Sequence, residues 1–228
     1  MSVDTLPTDK NLILIGDLGV GTNLVKNIFF LDTKFKPPFD FNIVNTMYSS
    51  GNFDNWLKKE YQTRKWGKYD IADVVPENLI LPKSPATIYI NHSCFYSPND
   101  LDILTVQHAD LIVLLPKSDF AFEWQIRAYL EKAGNIHDFG GETPEMNIIN
   151  MREIMYDRKN TIKNICIQKN IPILFTDSLY KGEFDAFFNE SKKYVTIDYV
   201  KAKTIYSAWH KCHWDYSTTL DWNYFANK

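Results

Sequence analysis

Apolar residues follow two alternating patterns along this chain. Short continuous runs, bounded by glycine, proline or asparagine, cover residues 12–15, 86–90, 109–115 and 172–175. Their Ile, Val and Leu content is that of strands buried on both faces. Between them, apolar positions recur every three or four residues, the spacing of amphipathic helices. Leu24, Val25, Ile28, Phe29 and Leu31 predict the first helix, and Leu101, Ile103 and Leu104, after Asn99 or Asp100 as N-cap, a second. Phe122, Ile126, Tyr129 and Leu130 predict a helix over about 120–132, and Ile148, Ile149, Ile154, Met155, Ile162 and Ile165 one over 146–168. Shorter helices are read over about 182–189 and from Asp198 to about 212, with 194–197 extended.

Strands alternating with helices predict an α/β fold: three layers, a mostly parallel sheet, and helices on both faces. The length suits one domain over residues 1–228. A helical segment of about 34–75, broken by Pro37, Pro38 and Gly51, is inserted after the first helix, and residues from about 195 to 228 form an aromatic C-terminal extension. Lys58, Lys59, Arg64, Lys65 and Lys68, interleaved with aromatics, read as the solvated face of that insert. In parallel sheets, ligands sit at the carboxyl ends of the strands. The polar clusters at 16–23, 91–93 and 116–118, together with Asp177, all fall at such ends.

The composition narrows the partners. Net charge is −3 with no long block of one sign, so nothing points to nucleic acid or membrane surfaces. Three scattered cysteines suit a reducing compartment rather than a disulfide framework. The N-terminal MSVDTLPTDK lacks the apolar core of a signal peptide, and no run is long enough to span a membrane, which predicts a soluble cytoplasmic protein. His210, Cys212 and His213 do not complete four ligands, so no metal site is predicted.

The glycine-rich turn carries the chemistry. Gly16, Gly19 and Gly21 lie between the first strand and the first helix. That arrangement aims backbone amides and a helix N-terminus at an anion, and residues without Cβ let the backbone close around it. Gly16 and Gly21 have the G-x-x-x-x-G spacing of a nucleotide P-loop. Thr22 stands in place of its lysine and Asn23 in place of its metal-binding hydroxyl, which weighs against a kinase or NTPase. A tight turn without ligand is the plain alternative.

In order along the chain, these features resemble the sulfotransferases that use 3′-phosphoadenosine 5′-phosphosulfate (PAPS). Gly21-Thr22-Asn23 is similar to that family's P-loop-like turn, and the strand ending at His92 to the one that carries its catalytic base. The run into Pro116-Lys117-Ser118 is similar in shape to its 3′-phosphate motif, and 174–179 to a late strand and turn. The resemblance covers roughly residues 10 to 190. Where family members carry a basic loop residue, an arginine and a serine, this chain has Gly19, Leu114 and a position near Phe122 without serine.

The resemblance implies a divergent sulfotransferase that moves a sulfuryl group from PAPS to a hydroxyl or amine, on a small molecule or a glycan. It implies His92 as base, a role imidazole suits because it accepts a proton near neutral pH. It implies PAPS or its product PAP at Gly19, Gly21, Thr22 and Asn23, with Lys117, Ser118 or Arg127 in place of the absent cation and serine. Two alternatives stand beside it. One is a non-catalytic structural or assembly protein on a degenerate P-loop fold, as a homo-oligomer or part of a larger assembly. The weaker one is a nucleotide kinase or NTPase.

Overall fold

A computed structural model describes residues 10–17, 19–35, 86–95, 98–105, 109–133 and 139–213. The insert from residue 36, its basic aromatic patch and the tail from residue 214 lie outside the described residues. Four strands form one sheet: β1 (Asn11–Gly16), β2 (Ile88–Asn91), β3 (Ala109–Leu115) and β4 (Ile173–Phe175). Their spatial order is β2-β1-β3-β4 and every pairing is parallel. The protein is thus of the α/β class, with a fully parallel sheet among the described residues.

Alternation along the strands divides the core into two layers. Leu12, Leu14, Ile88, Ile112, Leu114 and Leu174 face one side. There they meet α1 (Thr22–Phe29), α6 (Phe184–Ser191) and α7 (Tyr199–His213) through Ile28, Phe187 and Ile205. Ile13, Ile15, Leu111, Val113 and Leu115 face the other side. They pack on the 3-10 turn Ser93–Phe95, on α2 (Asp100–Thr105), and on Ile162 and Cys166 of α4 (Pro144–Lys169). Each fully buried Leu or Ile contributes about 1.5–3 kcal/mol, so the two-sided sheet supplies much of the driving force. The helix α3 (Asp119–Ala133) lies against α4 through Phe122, Ile126, Ile148, Met151 and Met155.

Two predicted boundaries move for local reasons. The long helix begins at Pro144 rather than Met146 because Thr143 caps it, its Oγ1 accepting from Met146 N–H at 3.2 Å, with proline in the first turn where no donor is needed. The helix predicted from residue 182 begins at Phe184 because Gly182, at φ 74, ends a separate short helix, α5 (Asp177–Lys181). Asp198 opens α7 as expected, its Oδ1 accepting from Lys201 N–H at 2.8 Å. Residues 195–198 form no strand.

Cys94 and Cys166 are free and buried on the α4 side of the sheet. Burial pushes their thiols up to about 12 and about 11, so both remain inert protonated groups.

Candidate anion-binding site at the carboxyl rim

Strand register fixes what meets at the rim. Ile15 pairs with Asn91, Gly16 with Leu114, and Leu115 with Phe175. The residues following these ends are therefore brought together: the glycine turn, His92, Lys117 and Ser118, and Asp177. Chain connections leave β1 toward β2 and β3 toward β4, in opposite directions, which is where α/β sheets open a crevice.

The glycine turn is tightly built. Asp17 O accepts from Val20 N–H at 3.3 Å, and Gly19 has φ 84, the value the third residue of a type II turn requires. Gly21 follows at φ 92 as the N-cap of α1, a residue with no side chain to accept from the amides of the first turn. At Gly16 a Cβ would lie 2.6 Å from both Thr22 Cγ2 and Val20 Cγ1. Thr22 is buried and Asn23 exposed. Lys26, 1 % exposed, donates from Nζ to Asn23 Oδ1 at 3.2 Å. Asp17 is also buried.

His92 sits directly beside this turn. Its Nδ1 bonds the Gly16 carbonyl oxygen. A carbonyl only accepts, so Nδ1 carries the proton, and in the neutral ring Nε2 is the lone-pair nitrogen. Asn91 supports the segment, its Oδ1 accepting from Cys94 N–H at 3.1 Å. Tyr180 approaches from α5 and donates its hydroxyl to Gly19 O at 2.5 Å. Thus Gly16, Asp17 and Gly19 each have their carbonyl oxygen engaged by a donor of the protein.

No family model, curated protein or solved structure matches this chain. With the Gly16, Asp17 and Gly19 carbonyls engaged and no side-chain cap on α1, the turn is a candidate site for an oxyanion.

The neighbouring corner is built differently. Lys117 and Ser118 donate their backbone N–H groups to Asp177, at 2.7 and 2.9 Å. Ser118 Oγ accepts from Ala121 N–H at 3.2 Å as the cap of α3. Lys117 Nζ lies 5.7 Å from the Phe175 ring, and the Arg127 guanidinium 4.6 Å from the Trp124 ring. Leu114 and Phe122 are both core residues. A carboxylate thus occupies the amides that a second phosphate would need. The backbone amides of the β3–α3 corner are therefore not open to a second phosphate.

Three contributors were not singled out in the sequence: Tyr180, the short helix that carries it, and Lys159. Lys159 is 8 % exposed, and its ammonium lies 4.7 Å from the Phe122 ring and 4.5 Å from the Tyr156 ring. Burial lowers its pKa, partly offset by Asp119 and Asp177. Its burial has a sequence signal, since it falls four residues after Met155 and three before Ile162 on the apolar face of α4.

Proposed function

We propose that this chain binds an anionic ester at the glycine turn and acts as a divergent sulfotransferase-like protein. The observation that carries the reading is the contact between His92 Nδ1 and Gly16 O. It holds the His92 ring at the end of β1, where the glycine turn into α1 begins, and leaves Nε2 as the lone-pair nitrogen. In the proposed reaction an acceptor hydroxyl or amine attacks the sulfuryl sulfur while its bond to the bridging phosphate oxygen breaks. The acceptor's proton passes to His92 Nε2, and the negative charge of the leaving phosphate faces the amides at 21–24. General-base assistance of this kind is worth roughly 10²–10⁴-fold.

A second reading is favoured by the neighbouring corner. Asp177 seals the amides of Lys117 and Ser118, Leu114 and Phe122 are packed into the core, and the Asp17 side chain is buried at the turn. These features suit a non-catalytic assembly component on the same scaffold.

Calorimetry with adenosine 3′,5′-bisphosphate separates the two. The enzyme reading expects binding heat at or below millimolar ligand. Absence of heat at millimolar ligand, with the chain sedimenting as an assembly, supports the structural reading instead.

A further inference from the structure

The five-residue helix α5 touches the site at several points. Asp177 at its start holds the Lys117 and Ser118 amides. Leu179 Cδ1 lies 3.1 Å from where a Cβ on Gly21 would be. Tyr180 spans 161 positions of sequence to reach Gly19 O. The helix is itself fixed from the far side, where Tyr206 donates its hydroxyl to Ser178 O at 2.7 Å and to Leu179 O at 3.3 Å. Ala121 and Trp124 of α3 enclose the Tyr180 ring. A helix of five residues has little stability of its own, so these contacts rather than propensity hold it in place.

We propose that Tyr180 is a positioning residue for the anion site, setting the orientation of the glycine turn through its hydrogen bond to the Gly19 carbonyl. The inference rests on reading that turn as an anion site. A peptide carbonyl and the following amide are fixed in one plane. Holding Gly19 O toward α5 therefore fixes the Gly19–Val20 peptide and keeps that carbonyl's negative end bonded. Without the hydroxyl, only the Val20 N–H bond to Asp17 O at 3.3 Å still holds that peptide, and the carbonyl can turn toward the anion and repel it. Tyr180 is wholly buried, and burial pushes its pKa up, so the hydroxyl stays protonated as a donor.

The test is Tyr180→Phe, which removes one oxygen and keeps the ring. Amide hydrogen exchange is measured in the free protein, and adenosine 3′,5′-bisphosphate binding by calorimetry. The expected result is exchange about tenfold faster, equivalent to about 1.4 kcal/mol, at the Val20 amide, bonded to Asp17 O, and the Val25 amide, bonded to Gly21 O, while β1 and β3 amides keep their protection. Binding should weaken by a similar factor. Unchanged exchange at Val20 and Val25, or acceleration spread equally over β1 and β3, overturns the proposal. If the unaltered protein binds no nucleotide, the anion reading falls, and the exchange result still decides whether Tyr180 sets the turn.

Discussion

Replacing His92 by glutamine is expected to lower sulfuryl transfer from PAPS by roughly 10²–10⁴-fold while leaving the fold intact. In the proposed reaction the two ring nitrogens have separate tasks. Nδ1 donates to Gly16 O, and a glutamine amide can make that same donation. Nε2 is the proton acceptor, and an amide nitrogen cannot replace it. His92→Ala removes both tasks. It leaves the buried Gly16 carbonyl without this donor and costs an additional ~1–3 kcal/mol of stability. Steady-state turnover and melting temperature, measured on both variants, separate the roles. Turnover retained within a few-fold in His92→Gln would remove the imidazole from the chemistry.

The second large effect is on the turn itself. Gly16→Ala places a methyl 2.6 Å from two carbons, Thr22 Cγ2 and Val20 Cγ1. Both belong to β-branched side chains that are stiff at χ1, and both are buried, so neither swings away cheaply. Overpacking of this kind costs about 1–3 kcal/mol. For a chain of this size that lowers the melting temperature by ~2–4 °C per kcal/mol. Because Thr22 opens α1, the displacement should also weaken ligand binding. Gly140→Ala is the comparison: φ is 74 there, but nothing lies within 4 Å of the added carbon. It should carry backbone strain alone, about 1–2 kcal/mol, with no effect on binding. Equal ligand affinity in Gly16→Ala and the unaltered protein would show that close packing at Gly16 is unrelated to the site.

How far these features could be read from residues depends on the range of the interaction behind them. The strand 109–115 was legible at both ends, because a buried parallel strand is a continuous apolar run and Ala109–Leu115 is one. The convergence of the glycine turn, His92 and Asp177 followed from strand ends and parallel order. Helix α5 was not legible: five residues span little more than one turn, too short for periodicity to register. The role of Tyr180 was hidden for another reason, since its partner lies 161 positions away and no local pattern encodes that pairing. Asp177 was expected at the rim, yet its engagement with the Lys117 and Ser118 amides depends on β3 and β4 being neighbours. Lys159 was legible in principle. Helical spacing puts it on the buried face of α4, but a lysine there reads as solvated until its two aromatic neighbours are seen.

Among the described residues no helix is long and apolar enough to cross a membrane. The exposed apolar side chains Met146, Ile149 and Tyr156 follow helical spacing along α4, while the anion site lies at the sheet's carboxyl rim. A cleft of about 700 Å³ opens where α6 begins beside α7, lined by Phe184, Asp185, Lys203 and Tyr206 among others. Neither Gly21 nor His92 lines it.

The central claim is that the amides at the start of α1 hold an anionic ester next to His92. The most direct measurement is a residue-resolved titration of backbone amide resonances with adenosine 3′,5′-bisphosphate. Saturable shifts are expected at Gly21, Thr22, Asn23 and Leu24, accompanied by the His92 ring. Shifts confined to other parts of the protein, or none at millimolar ligand, would contradict it.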